Sequence, residues 1–331
     1  MFIIENYSTA VIFCIITMFC WGSWANTQKL AAANWRFELF YWDYVIGIVL
    51  LSLLFAFTLG STGESGRSFM ADWHQADNSN IGSALLGGII FNAANILLGA
   101  AIAIAGMSVA FPVGIGLALV IGVVVNYVDA PVGNASLIFA GVALIGVAIL
   151  LNANAYRKMA RQQKGTSTKG IVLSVVSGCL MGLFYKYVAA SMFPDFNIPV
   201  QGKLSPYTAV VFFSLGILAS NFIFNTVLMK KPFVGIPVSY ADYFSGTFKN
   251  HITGILGGVI WCVGMSFSII ASGKAGPAIS YGLGQGATVV AALWGIYIWK
   301  EFKDAPKGTN IILTFMLLTY AAGLALIVAA R

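Results

Sequence analysis

Apolar stretches of about 20 residues recur along this chain from its N-terminal region to its last residue, and each is long enough to cross ~30 Å of hydrocarbon. Hydrophobic residues make up 59% of the 331 residues and charged residues only 9%. So few charges cannot cover the surface of a water-soluble protein of this length. Transmembrane β-strands alternate polar and apolar side chains, which these continuous stretches do not. The sequence therefore predicts an all-α protein that spans a lipid bilayer.

The predicted spans number ten, and they lie near 9–27, 39–60, 81–105, 107–128, 134–152, 169–190, 206–229, 251–273, 275–299 and 309–330. Met1 to Thr9 contain Glu5 and no basic residue, so the first stretch is predicted to be an uncleaved span rather than a secretory signal. All four cysteines fall inside spans, which favours apolar packing over disulfides or a metal site: Cys14, Cys20, Cys179 and Cys262. We predict neither a metal nor a cofactor.

Basic residues are distributed unevenly between the two sets of loops. Thirteen of the 18 Lys and Arg residues fall in loops that follow odd-numbered spans, and four fall on the other side: Arg67, Lys203, Lys274 and Arg331. The positive-inside rule then predicts that both termini are extracytoplasmic and that the loop 153–168 is cytoplasmic. Because the basic residues sit in these short loops, the net charge of +7 reports membrane topology rather than a nucleic-acid partner.

The two halves of the chain share short patterns in one register. LGGII at Leu86 recurs as LGGVI at Leu256, and Tyr127 and Tyr297 keep the same offset of 170, as do two Gly-x-Gly pairs: Gly114–Gly116 and Gly284–Gly286. We therefore predict two five-helix repeats, 1–152 and 169–331, joined by a cytoplasmic hinge at 153–168. Since five spans are an odd number, the second repeat enters the membrane from the opposite side, an arrangement typical of alternating-access transporters.

Polar and aromatic residues at mid-span depth are the candidates for a substrate site, because polar groups in hydrocarbon usually face a cavity or another helix. The predicted substrate-binding residues are Trp21, Trp24, Asn26, Asn92, Asn95, Tyr185, Lys186, Trp261 and Gln285. For the amides the alternative is interhelical hydrogen bonding, and for the tryptophans it is an interfacial belt. Rings that stack and amides that both donate and accept hydrogen bonds suit a neutral, polar solute.

Two charged residues inside the spans have competing interpretations. Lys186 either faces the substrate or extends its long side chain to the interface. Asp43 is the candidate for proton coupling, and the alternative is a structural ion pair with Lys29 or Arg36. The paired glycines Gly114, Gly116, Gly284 and Gly286 predict either close helix packing or local unwinding near a cavity.

These residues also carry a family resemblance. Ten helices in two inverted halves resemble the drug/metabolite transporter superfamily. Within it, Trp21-Gly22-Ser23 with Gln28-Lys29, and the glycine-rich ninth span ending in Trp299-Lys300-Glu301, are similar to bacterial glucose/ribose uptake permeases, whereas Tyr41 to Tyr44, YWDY, looks like the second span of plant ureide permeases. The resemblance implies proton-driven uptake of a small polar metabolite across the cytoplasmic membrane, through a cavity between spans one, three, four, six, eight and nine.

The functional prediction is a secondary transporter rather than an enzyme. We expect it to import a neutral sugar, a hexose or pentose, by proton symport, with a ureide or nucleobase as the alternative substrate. An exporter of the same fold remains open, since the sequence fixes neither direction nor driving ion. A channel or an intramembrane enzyme is less favoured, because both histidines, His74 and His251, fall at loops or span ends rather than among convergent acidic groups.

Overall fold

The computed structural model describes residues 1–105, 110–159, 168–300 and 302–331, and within these ranges the chain is helical with no β-strand. In chain order the helices are α1 (Tyr7–Ser23, continued by a 3₁₀ segment Trp24–Leu30), α2 (Phe37–Phe57), α3 (Phe69–Gln75), α4 (Asn78–Ala105), α5 (Gly116–Asp129), α6 (Ala135–Met159), α7 (Thr168–Ser191), α8 (Pro206–Lys230), α9 (Tyr240–Phe244), α10 (Phe248–Ala275), α11 (Pro277–Gly284), α12 (Ala287–Leu293) and α13 (Thr309–Val328).

Nine helical segments of the described ranges are long and apolar enough to cross a membrane, so the protein is a multi-pass, all-helical membrane protein. The sequence predicted ten. The difference is the fourth predicted span, 107–128, where the described apolar helix covers only Val113–Asp129 and would reach about 25 Å at 1.5 Å per residue. Residues 106–109, at the start of that predicted span, lie outside the described ranges, as do residues 160–167 of the predicted hinge.

Side-chain caps fix where several spans begin. Asn6 accepts a hydrogen bond from the Thr9 backbone at the start of α1, and Ser205 does the same for Thr208 at the start of α8, just before Pro206. These contacts satisfy backbone N–H groups that have no partner inside the helix. Between α10 and α11 the chain turns on Gly276 alone, whose φ of 82° is a conformation that other residues rarely adopt.

One long helix of each half has the same length and the same position relative to its neighbours. The helices α4 and α10 both contain 28 residues and begin 170 positions apart, and the short helices α3 and α9 precede them in the same order. The packing partners also correspond: α4 lies against α7 and α8, whereas α10 lies against α1 and α2. Two further contacts, of α2 with α8 and of α6 with α13, join equivalent helices of the two halves.

The LGG patterns lie at the two closest helix crossings. A Cβ added to Gly88 would stand 2.0 Å from the carbonyl oxygen of Phe213 on α8, and one added to Gly258 would stand 1.9 Å from that of Tyr44 on α2. Both distances are far inside van der Waals contact, so any side chain would force these helices apart. The repeated glycines therefore set how closely α4 approaches α8 and α10 approaches α2.

The ninth span is interrupted. It runs from Pro277 to Ile298, but α11 ends at Gly284 and α12 begins at Ala287, so Gln285 and Gly286 form a turn in the middle of the membrane segment. In the first half, Gly114 lies in a π-helical turn, Phe111–Ile115, immediately before Gly116 and α5. A Cβ on Gly116 would meet nothing within 4 Å, whereas one on Gly286 would meet Met18 Sδ at 2.4 Å.

Candidate functional site

A cavity of about 600 Å³ lies between the two halves, within the size range of small-molecule sites. It reaches from the middle of the bundle to the loops 31–36 and 231–238, which lie on the face that carries most of the basic residues. The lining comes from α1, α4, α7, α10, the break in the ninth span and Ile115, with Phe37, Glu38 and Leu228 nearer the mouth. The cavity therefore opens toward the basic face.

Aromatic rings form the inner end of this cavity. Trp21 and Trp261 stack with centroids 5.9 Å apart and planes 14° apart, and Phe91 lies 4.4 Å from Trp261. Trp24 packs on Tyr44 at 4.5 Å and also lines the cavity. These rings line the cavity inside the bundle, rather than lying at the membrane surface as an interfacial belt would.

Two carboxamides line the cavity next to these rings. Asn95 donates from Nδ2 to the Tyr41 hydroxyl at 3.1 Å, which leaves its carboxamide oxygen without a partner among the described residues. The side chain of Gln285 makes no hydrogen bond to a described residue, although only 7% of the residue is exposed. Gln285, in the turn between α11 and α12, thus places an amide in the cavity wall, where it can donate and accept.

One ion pair lies at the cavity mouth. Arg36 contacts the Glu38 carboxylate at 2.6 Å and donates to the carbonyl oxygens of Val234 at 3.0 Å and Ile236 at 2.5 Å, so it ties the loop 231–238 to the start of α2. Among the described lining residues, Arg36 and Glu38 are the only charged ones. Because they neutralise each other, the cavity suits a neutral solute.

The opposite face of the bundle is closed. Arg67 Nε pairs with Asp72 at 2.9 Å, and its Nη2 donates to the carbonyl oxygens of Val200 and Lys203, both at 3.0 Å. Asp72 is fully buried and also accepts from the Ser205 backbone at 2.7 Å, at the start of α8. This charge pair, with Asp72 buried and Arg67 partly exposed, holds the loop after α2 against the loop before α8.

Asp43 does not line the cavity, and the predicted alternative partners are wrong. Its carboxylate lies 3.0 Å from His251 Nδ1 and accepts from the Tyr243 hydroxyl at 2.6 Å, whereas Arg36 pairs with Glu38 and Lys29 lies over the Trp299 ring. Burial, together with the adjacent Asp43 carboxylate, raises the pKa of the Tyr243 phenol, which therefore remains a donor. The Asp43–His251–Tyr243 cluster links α2, α9 and α10.

Four predicted substrate-binding residues lie away from the cavity. Asn92 is fully buried and bonds Tyr41, Ile217 and Ser220, so it joins α4 to α2 and α8. Asn26 accepts from Trp299 Nε1 at 2.6 Å, which ties the end of the first span to the ninth.

The other two are Tyr185 and Lys186. Tyr185 is buried against Ser268 and Ser280 on the closed side. Lys186 forms a half-exposed ion pair with Asp129 at 3.1 Å. For Lys186 the observed contact matches the interfacial alternative rather than substrate binding.

Sequence reasoning missed several lining residues: Gln28, Phe91, Phe184, Met181 and Thr288. One signal could have found Phe91, because it lies 170 positions before Trp261, in the register of the LGG patterns. The pairing of His251 with Asp43 had no such signal, since the two residues lie 208 positions apart and meet only through the packing of α2 against α10.

A helical membrane protein with an internal cavity that opens to one face and is closed at the other has the architecture of a permease rather than of an enzyme. The family model that matches is "Ureide permease", over residues 40–169 and 157–330, and the chain belongs to this family. As a permease it transports a small molecule across a membrane.

Plant relatives match along nearly the whole chain. Ureide permease 1 of Arabidopsis thaliana is 22% identical over 385 positions, which cover 99% of this chain and 98% of the relative. Probable ureide permease A3 of Vigna unguiculata is 22% identical over 376 positions, covering 93% and 100%. One solved crystal structure aligns with a TM-score of 0.60 over 97% of this chain and 96% of its own, at 14% identity, and it supports the fold alone.

Proposed function

We propose that this protein transports a neutral, amide-rich heterocycle, a ureide or a nucleobase, by alternating access between two oppositely inserted five-helix repeats. The observation that carries this proposal is the pair of cavity carboxamides, Asn95 and Gln285, set beside the stacked rings of Trp21 and Trp261. A planar ring stacks on an indole, and its in-plane N–H and C=O groups match the donor and acceptor of a carboxamide.

A sugar was the first substrate expected from the sequence, and the ureide was the alternative. Membership of the ureide permease family favours the alternative, because the relatives that match along the chain are ureide permeases. The absence of an unpaired charge among the described lining residues fits both solutes, so it does not decide between them. The choice of a heterocycle rests on the aromatic and amide lining together with the family.

A ligand panel on the purified protein tests the substrate. Thermal shift and uptake into proteoliposomes should respond to allantoin, uracil or xanthine and not to glucose or ribose. The double variant Asn95→Ala, Gln285→Ala should lose the shift, and Lys186→Met, which lies outside the cavity, serves as the matched control and should keep it. Stabilisation by a sugar alone would contradict the proposal.

Alternating access is supported by matched contacts in the two halves. The helices that pack around α4 correspond to those that pack around α10, and the closest crossings, at Gly88 and Gly258, are 170 positions apart. Two similar halves in opposite orientation can exchange conformations and so move the opening from one face to the other. In this proposal the fourth predicted span, 107–128, also crosses the membrane, which gives ten crossings. Labelling that puts 153–168 and the C-terminus on the same face would contradict this topology.

The Asp43–His251 pair is the proposed site of proton coupling. It joins α2 to α10, and Trp35 bridges it to the cavity mouth, since Trp35 lines the mouth and lies 5.4 Å from the His251 ring. A proton on the carboxylate removes the negative charge that attracts His251, which weakens the tie between these helices. Proton binding at Asp43 would thereby change how easily the loop 31–36, which carries Trp35, moves at the cavity mouth.

Two transport modes separate coupling from a structural role. In Asp43→Asn, exchange of labelled for unlabelled substrate at equal pH should persist, while accumulation driven by a pH gradient should be lost. Loss of both modes would make the residue structural, and unchanged gradient-driven accumulation would place the proton elsewhere.

The basic face is proposed to be cytoplasmic, at the inner membrane of the cell, as the positive-inside rule predicts.

A further inference from the structure

A buried group of hydroxyls lies on the closed side of the aromatic layer and has no part in the cavity. Tyr185 on α7 bonds the Ser268 hydroxyl on α10 at 3.1 Å, and Ser268 bonds Ser280 on α11 at 3.1 Å. Cys14 on α1 donates to Ser280 at 3.6 Å. All four residues are fully buried, so α1, α7 and α10, which line the cavity on one side, meet α11 around polar groups on the other.

One hydrogen bond, present in both halves, fixes how the helices of the halves correspond. Thr17 donates to the carbonyl oxygen of Gly264 at 2.8 Å, and Ser177 donates to that of Ala94 at 2.8 Å. Ala94 and Gly264 are 170 positions apart, in the register of the LGG patterns. The same bond therefore relates α1 to α7 by a shift of 160 positions and α4 to α10 by a shift of 170.

When these two shifts are applied, each residue at the centre of the cavity in one half corresponds to a residue of the other half that also lines the centre. Trp21 falls on Met181, Trp24 on Phe184 and Phe91 on Trp261, and all six line the cavity. Residues at mid-depth stay on the cavity wall under the exchange of halves, as a central site shared by both conformations requires.

Beyond the centre, the same shifts relate residues of the open side to residues of the closed side. Ala25, Leu98 and Ile102 line the open part of the cavity. They correspond to Tyr185 and Ser268 of the hydroxyl group and to Ser272, four positions further along α10. We propose that Tyr185, Ser268 and Ser272 line the substrate pathway when the protein opens to the less basic face. This inference rests on the proposed alternating access and adds to it the chemistry of the second half of the route.

The two halves of the route then differ in chemistry. The half of the route that opens to the basic face is lined at these positions by alanine, leucine and isoleucine. The half toward the less basic face presents a phenol and two serine hydroxyls. Hydroxyls both donate and accept, so a neutral amide-rich solute can exchange its water for them one at a time. In the closed state Tyr185 and Ser268 bond each other, and Ser272 donates to the carbonyl oxygen of Ile269 at 2.7 Å, so the helices meet there with these hydroxyls paired.

Cysteine accessibility tests the inference. In a protein whose four native cysteines are replaced by alanine, Ser268→Cys and Ser272→Cys are treated with a membrane-impermeant thiol reagent from the less basic face. The matched control is Ser214→Cys, also fully buried, where the native hydroxyl bonds Ser52 between α2 and α8 at 2.8 Å. An outward-open state populated at a few per cent should label the pathway positions about tenfold or more faster than the control.

Uptake by the same preparations separates this inference from the proposed substrate. Selective labelling that saturating allantoin slows supports both. Selective labelling without ureide uptake or protection supports the pathway and overturns the substrate. Uptake with Ser268→Cys and Ser272→Cys labelled no faster than Ser214→Cys overturns the pathway while leaving the substrate intact. If Ser268→Cys fails to insert, Ser272→Cys alone decides.

Discussion

Asn92 and Asn95 lie three positions apart on α4, yet the structure gives them different roles. Asn95 offers its carboxamide oxygen to the cavity, while Asn92 is fully buried and makes three hydrogen bonds to α2 and α8. Truncating each to alanine should therefore change different quantities. Asn95→Ala should weaken substrate binding, and Asn92→Ala should weaken the fold.

The magnitudes follow from the bonds lost. Asn95→Ala removes one neutral hydrogen bond to substrate, about 0.5–1.5 kcal/mol, which is about a 2- to 12-fold rise in Kd. It also removes the bond to Tyr41, which lowers the free energy of unfolding by about 0.6 kcal/mol. Asn92→Ala removes three interhelical bonds, each about 0.6 kcal/mol in a membrane, so the free energy of unfolding should fall by about 2 kcal/mol. For a chain of this length that corresponds to a Tm lower by on the order of 3 °C.

Ligand titration and thermal unfolding of the purified variants measure both effects. Wild-type Kd in Asn95→Ala together with a raised Kd and an unchanged Tm in Asn92→Ala would refute the assignment. That result would mean that Asn92, rather than Asn95, faces the substrate. The two variants serve as controls for each other, since they remove the same side chain from the same helix.

Further predictions concern one residue of the cavity and two contacts away from it. Trp24→Ala should raise Kd by about 2- to 12-fold through loss of about 0.5–1.5 kcal/mol of stacking, and Trp24→Phe should recover most of it, as binding assays would measure. Gly258→Val should abolish folded protein in size-exclusion analysis, because no side chain fits its helix crossing, whereas Gly82→Val, with nothing within 4 Å, should behave as wild type. Lys186→Met and Asp129→Asn should change neither uptake nor Tm appreciably, since an exposed pair contributes about 0–1 kcal/mol; loss of uptake in Lys186→Met would return that residue to the substrate site.

The cavity residues show how far residue type and depth predict a site. Trp21, Trp24, Asn95, Trp261 and Gln285 were all predicted from depth and chemistry, and all line the cavity. Their substrate-binding role stays a prediction until the variants are measured. Depth in the membrane narrowed the choice of residues, because a polar or indole group at mid-bilayer has few favourable positions other than a cavity or a helix contact.

Depth could not distinguish a cavity from a helix contact. Asn92 and Tyr185 satisfy the same criterion, but each meets partners on other helices that are distant in sequence. Asp43 was predicted to pair with a nearby basic residue, whereas its partner His251 lies 208 positions away. The partner of a buried polar group is decided by which helices pack together, and that information is not local.

The amino-acid pattern was enough to establish the membrane class and the approximate positions of the helices, because hydrocarbon thickness and backbone hydrogen bonding leave few alternatives for apolar stretches of this length. Which faces of those helices meet became clear only from their packing in three dimensions. It brought Asp43 to His251, buried Tyr185 on the closed side and opened the cavity toward the basic face. The physical reason is that pairwise packing selects among helix faces of nearly equal hydrophobicity, which the amino-acid pattern does not rank.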